Sequence, residues 1–298
     1  MKRLLKFPVV AGILFISFGL QAQDSSLVGS SSLKSPNFQI GSNTSISQEK
    51  IADLKPDSPQ GENSKEDVRP FITDDSRVVG NRLAQMEAWM RIDKHEGQQW
   101  LMAAYGPNKW LELSIGGVLG YEKSEQGGTN FSYALPLVQG KVLFREYESG
   151  KGPGFGAVLG SFFPGGKGAF KPEGYGTFGF LTVSQCFGEN EDVLIHGNLG
   201  ANYLHIDGSG DLLGTWGFGS QVRVHKGMHL VGEIFSGDPY VPGAGISYQV
   251  GYRYFFSDLL QIDMTIGEGM GGESPLPFWF SAGVRIVTER FLPSNKRK

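Results

Sequence analysis

Nine charged side chains stand at alternating positions among apolar and small neighbours: Glu87, Arg91, Glu112, Arg145, Arg223, Glu233, Arg253, Asp263 and Arg285. Alternation turns such residues to one face of an extended chain. Two kinds of chemistry are then open to them. They can pair into an ion network that stabilises a wall, or they can line a wet passage and select solutes by charge. Arg253 and Asp263 flank a tight turn near Phe256, and a hairpin register there sets them diagonally opposite. Neither reading requires a metal or a covalent step.

The spacing of the remaining candidate residues does not support other chemistry. Ser161 to Gly168, SFFPGGKG, has the lysine of a phosphate loop, but Ser161 stands where the first glycine belongs and Gly168 where a magnesium-binding hydroxyl belongs. Asp207 to Asp211, DGSGD, supplies too few oxygens for calcium and reads as a hairpin turn. The histidines 95, 196, 205, 225 and 229 lack metal-ligand spacing, and His225 and His229 flank a strand turn. His196, Asn198 and Ser220 are the residue types of a hydrolytic Ser-His-Asn array, yet alternation puts His196 and Asn198 on a polar face and no serine sits in a nucleophile setting. No catalytic residue, metal or cofactor is expected, and the chain reads as a non-enzyme.

The elements that carry the charges are strands. Leu260, Ile262, Met264 and Ile266 alternate with Gln261, Asp263 and Thr265; Ile246, Tyr248, Val250, Tyr252 and Tyr254 alternate with Ser247, Gln249, Gly251 and Arg253; Phe278, Phe280, Ala282, Val284 and Ile286 stand opposite Ser281, Gly283 and Arg285. Twelve strands are predicted, at about 82–93, 98–105, 110–121, 132–147, 154–163, 174–187, 191–205, 211–225, 228–237, 244–255, 258–267 and 277–290. Most reach the roughly 9 to 11 residues with which a tilted strand crosses a bilayer. Even-numbered connections are short, whereas the third, fifth, ninth and eleventh are longer and glycine-rich, the asymmetry of an outer-membrane barrel.

The fold class is therefore all-β: a closed antiparallel transmembrane β-barrel of about twelve strands. In lipid no backbone group can stay unpaired, so a strand-built spanning protein must close on itself. Aromatic residues near strand ends, among them Trp216, Phe218, Tyr203, Tyr248, Tyr254 and Phe278, suit girdles at lipid–water interfaces, and Gly217, Gly219 and Gly197 suit a crowded interior. With twelve strands the bore is narrow.

The ends read differently. Lys2, Arg3 and Lys6, the apolar run Val9 to Leu20 and the Leu20-Gln21-Ala22 site make residues 1–22 a signal peptide. Its removal takes three positive charges from a chain of net charge −3, leaving about −6, which argues against nucleic acid as a partner. Residues 23–68 follow neither period and are expected to be a disordered periplasmic tail. The barrel spans 69–291, followed by a C-terminal extension, 292–298. Cys186 is the only cysteine, so the chain makes no internal disulfide.

The stretch RPFITDD (Arg69 to Asp75), the first strand NRLAQMEAWMRID and the run GPNKWLELSIGGVLGY resemble a family of outer-membrane barrels regarded as transporters of the MetA phenol-degradation pathway. There, Arg-Pro-Phe-x-Thr-Asp-Asp precedes strand one and a turn plus Trp-Leu-Glu-Leu opens strand three. The resemblance implies an uptake channel for small, often apolar or aromatic, molecules. It carries no catalytic or ligand residues. On physical grounds Arg69, Pro70, Phe71, Asp74 and Asp75 are expected to anchor the tail to the periplasmic rim, with the two aspartates capping backbone N–H groups. Expected partners are outer-membrane lipid, the barrel assembly machinery and a small-molecule solute. The expected location is the outer membrane of a Gram-negative bacterium, with both termini periplasmic. The alternatives are a structural or adhesive barrel working through loops such as Pro164 to Glu173, and a lipid hydrolase like the twelve-stranded outer-membrane phospholipases.

Overall fold

The computed structural model describes residues 72–124, 127–148, 151–188, 191–206, 208–237, 245–272 and 275–288. The signal peptide, the tail, Arg69, Pro70, Phe71 and the C-terminal extension lie outside the described residues.

Period-two patterning yields thirteen strands among the described residues: β1 Ala84–Asp93, β2 Glu96–Asn108, β3 Leu111–Lys123, β4 Thr129–Arg145, β5 Gly154–Phe162, β6 Gly166–Lys167, β7 Tyr175–Phe187, β8 Val193–Ile206, β9 Ser209–His225, β10 Met228–Ser236, β11 Ile246–Ser257, β12 Leu260–Gly271 and β13 Trp279–Val287. Twelve of them pair antiparallel around a ring; β3 joins β4, and the first and last strands close it through Gln85↔Val287 to Asp93↔Trp279. The two-residue β6 pairs only with β4, at Tyr133 and Ala134, and continues the line of β5 beyond Phe162, which sits opposite Leu137. Closure leaves no edge, as the sequence led one to expect.

The faces are those of an inverted globule. Outward stand Leu199 at 68% exposure, Met264 at 50%, Trp216, Phe218, Tyr203 and Tyr254, while Gln261, Asp263, Arg253 and Arg285 are buried on the inner face. A chain that turns leucines out and arginines in has lipid, not water, as its outer solvent. Gly197 is a correction: it pairs with the outward Phe218, so it belongs to the outer face.

The interior is not uniformly polar. Trp100, Met102, Val118, Leu137, Val158 and Phe178 form a buried apolar cluster along the β2-to-β7 side, with Trp89, Phe162, Phe170 and Phe180 packed against it. Trp89 and Trp100 stack at 5.7 Å with planes 5° apart. Large aromatic rings on this side of the inner wall pack against one another, beside buried polar groups such as Glu112 and Lys141 on the same strands.

Candidate functional site: a segment seated inside the barrel

Ile72 to Gly80 does not stop at the rim. It runs inside the ring before β1 begins. At its lower end Gly80 and Val79 lie against Gly106, beside the short β2–β3 turn. The Val79 N–H donates to Glu112 Oε2 of β3 at 2.8 Å, and the Ser76 N–H to Ser184 Oγ of β7 at 2.8 Å. Higher up, Asn198 of β8 accepts from the Asp74 N–H at 2.7 Å and donates to the Asp74 carbonyl at 2.7 Å, which also accepts from Thr182 Oγ1 at 2.6 Å. The Asp74 carboxylate meets Lys141 Nζ of β4 at 2.8 Å, a pair buried on both sides.

Thr73 is the upper latch. The Glu233 carboxylate of β10 accepts the N–H groups of Ile72 and Thr73 at 3.0 and 2.8 Å, and also the Thr73 hydroxyl. His196 Nε2 lies 2.8 Å from the same hydroxyl oxygen. A hydroxyl has one proton, and with Glu233 ionised that proton goes to the carboxylate; His196 then donates from Nε2 and carries its lone pair on Nδ1. Nδ1 is buried without a hydrogen-bond partner among the described residues. The wall is hollowed for this residue. A Cβ on Gly217 would come within 2.3 Å of Thr73 Cγ2, and one on Gly219 within 2.3 Å of His196 Nε2 and 2.6 Å of Thr73 Oγ1.

Asp75 is turned back on its own segment. It accepts the Arg77 N–H at 2.7 Å and pairs with the Arg77 guanidinium at 2.9 Å, which in turn lies over the Tyr147 ring. Burial alone would push this carboxyl up, but Arg77 and then Lys141 hold it well below the ordinary carboxylate value. Beside Ile72 and Thr73 a cavity of about 20 Å³ remains, room for a single water. Below the segment, a vestibule of about 250 Å³ opens among Val79, Leu83, Lys109, Leu143 and Leu259.

The rim reading of Asp74 and Asp75 is thus corrected. Asp75 does cap a backbone N–H, but both residues sit inside the ring, because the polar side chains that satisfy Asp74 point inward from β4, β7 and β8. Of the charged residues singled out, several join one belt. Arg253 pairs with Asp263 in direct register, at 2.5 Å from Nε to Oδ1, not diagonally. Arg253 Nη1 reaches Gln221 at 2.8 Å; Gln261 links Asp263 at 2.7 Å to Arg285 at 3.1 Å; Arg285 meets Gln85 at 2.7 Å, which meets Glu87 at 2.5 Å. Arg91 lies apart, with its guanidinium 4.6 Å from the Trp279 ring centre. Arg223 is half-buried near Asp192 at 3.5 Å.

Arg145 is a further correction. It is exposed and donates to the Lys151 carbonyl at 3.0 Å, because the pairing slips between Leu143 and Arg145 and breaks the alternation. Thr73, Lys141, Thr182, Ser184 and Gln249 were missed. The hydrolase array does not assemble: His196 and Asn198 face inward and hold the segment, whereas Ser220 is the partner of Ile195, between the inward Gly219 and Gln221.

A closed twelve-stranded ring with an apolar outside and a polar, partly filled inside is an outer-membrane type of β-barrel. No protein-family model matches the sequence, and no curated protein sequence does. Solved structures match in fold. An outer membrane channel from Pseudomonas putida F1 superposes with a TM-score of 0.55 at 11% identity, covering 74% of this chain and 100% of that one. The KdgM porin gives 0.47 at 9% identity over 69% and 99%, and the NanC porin 0.44 at 9% over 69% and 98%. The chain has the fold of the Pseudomonas putida channel.

Proposed function

We propose that the protein is an outer-membrane channel for passive diffusion of small molecules, held shut by the segment Ile72–Gly80. The observation that carries this reading is a closed, lipid-facing ring whose bore is obstructed by a polar, separately bonded strip of chain instead of by its own wall. A barrel that only displayed loops would need neither a carved seat nor buried charges facing the strip. The short turns and both chain ends then lie on the periplasmic side, as in other barrels of this type, and the outer face meets outer-membrane lipid.

Apolar or aromatic solutes are the finer reading. The rings of Trp89, Trp100, Phe162, Phe170, Phe178 and Phe180 along one inner wall support it, as does the resemblance to the phenol-pathway transporters. Single-channel recording in a planar bilayer tests the channel. Gly219→Val puts a branched side chain where Thr73 Oγ1 and His196 Nε2 now sit, so the upper latch must shift and the segment is loosened. We expect the wild type to conduct rarely and the variant steadily. The reading fails if folded Gly219→Val, verified by the mobility difference between unheated and boiled samples, conducts no more than the wild type.

A further inference from the structure

A wall that bonds side chains selects a sequence; a wall that bonds main chain selects a peptide. Around Ile72–Gly80 the second pattern prevails. Glu233 accepts the N–H groups of Ile72 and Thr73, Asn198 serves both the N–H and the carbonyl of Asp74, Thr182 the same carbonyl, Ser184 the N–H of Ser76 and Glu112 the N–H of Val79. Every residue except proline offers these groups. The donors and acceptors come from β3, β7, β8 and β10, so the site is a property of the ring and not of one hairpin. Side-chain selectivity enters at Asp74, whose carboxylate meets the buried Lys141, and at Thr73, whose hydroxyl lies between His196 and Glu233.

We propose that this inner wall is a binding site for peptide main chain, filled in cis by Ile72–Gly80, and that it accepts short peptides in trans once that segment is loosened. Two carboxylates at different heights, Glu233 and Glu112, hold N–H groups by charge-assisted bonds, the stronger kind. Asn198 reads donor and acceptor of one residue, as a neighbouring strand would. A free acidic side chain two residues into the peptide would find Lys141. The tether explains why an outside peptide meets resistance: a segment joined to β1 through Asn81 to Leu83 is present at an effective concentration of about millimolar. The inference concerns binding, so it stands or falls apart from conduction.

The test uses the full-length chain folded in detergent, as wild type and as the double variant Thr73→Ala/Asp74→Lys. Both changes lie on the segment. They remove the Thr73 hydroxyl from the latch and set a lysine against Lys141, leaving the wall intact. The probe is a fluorescein-labelled nonapeptide with the sequence of residues 72 to 80, followed by anisotropy. We expect the variant to bind it at least about tenfold more tightly than the wild type, because the competitor in cis is weakened by the lost hydroxyl bond and by the lysine set against Lys141. A nonapeptide of alanines with aspartate at its third position is expected to bind within about tenfold of the parent. The parent peptide N-methylated at the positions of Thr73, Ser76 and Val79 should lose about tenfold per blocked charge-assisted bond, and at least a hundredfold in all. Equal binding of the methylated peptide, failure of the alanine peptide, or no binding by a variant whose gel mobility shows a folded barrel would each overturn the proposal.

Discussion

Replacing Glu233 by alanine should free the upper end of the inner segment while leaving the ring closed. The carboxylate accepts the Ile72 and Thr73 amides at 3.0 and 2.8 Å and the Thr73 hydroxyl. Bonds to a charged acceptor contribute about 1.5–3 kcal/mol each, so the two amides alone account for about 3–6 kcal/mol of the free energy that holds this end in place. On the wall the loss is smaller, since Gln249 loses Glu233 but keeps Thr265 at 3.0 Å. At about 1.4 kcal/mol per tenfold, local opening should rise by about 10² to 10⁴. Amide hydrogen exchange of the folded protein in detergent reads this directly. Ile72 and Thr73 should accelerate by that factor, and Val231 on the same strand as Glu233 and Val250 on β11 should not. Exchange at Thr73 that stays within about threefold of the wild type would refute the reasoning, because the amides would then be held by something other than Glu233.

Other expectations follow from the same geometry. Arg253→Met leaves Asp263 buried without its guanidinium and should cost the barrel about 3–5 kcal/mol in urea unfolding from lipid, with part regained in Arg253→Met/Asp263→Leu. Leu199→Arg places a charge on the outer face of β8 and should lower stability by about 2–4 kcal/mol if that position lies at mid-membrane, by the same assay. Asp75 is held below the ordinary carboxylate value, so its contribution is complete above that value and fades only as pH falls beneath it. Exchange at the Arg77 amide should therefore be insensitive to opening changes between about pH 8 and 5, after correction for intrinsic rates, and should rise below about pH 4; an onset near neutrality would contradict the Arg77 pairing.

Strands were legible because their information is local. Ile262-Asp263-Met264-Thr265 announces its two faces in four residues, and the nearness of Arg253 to Asp263 follows from a turn only a few residues long, although the irregular pairing between Phe255 and Ser257 sets them directly opposite where a diagonal was expected. The seat of the inner segment was not legible, since its partners are far off in sequence: Ser76 and Ser184 are 108 residues apart, Thr73 and Glu233 160. Nothing in Ile72-Thr73-Asp74-Asp75 repeats at a period that could name those partners. The stretch drew attention by its charge and proline, but the same features suit a rim cap. Gly217 and Gly219 were the available clue. Two glycines on an inward face imply something pressed against them, though not what. Arg145 was misplaced for the opposite reason, since alternation was trusted through a slip in pairing. The inward aromatic cluster was hidden because tryptophans and phenylalanines look, one strand at a time, like breaks in a polar face.

The seam between β1 and β13 bears on how such a molecule is put together. It joins residues about 200 positions apart, as in the bond from Arg285 to Gln85, so it is the contact with the longest chain to organise. The strip Ile72–Gly80 is born immediately ahead of β1 and bonds to strands on several sides of the ring. Threading it into a finished cylinder would be slow, whereas laying it on a curling, still open sheet costs no passage at all. On that route the strip would serve as a mandrel around which the staves are bent, with the last stave fitted over a core already in place.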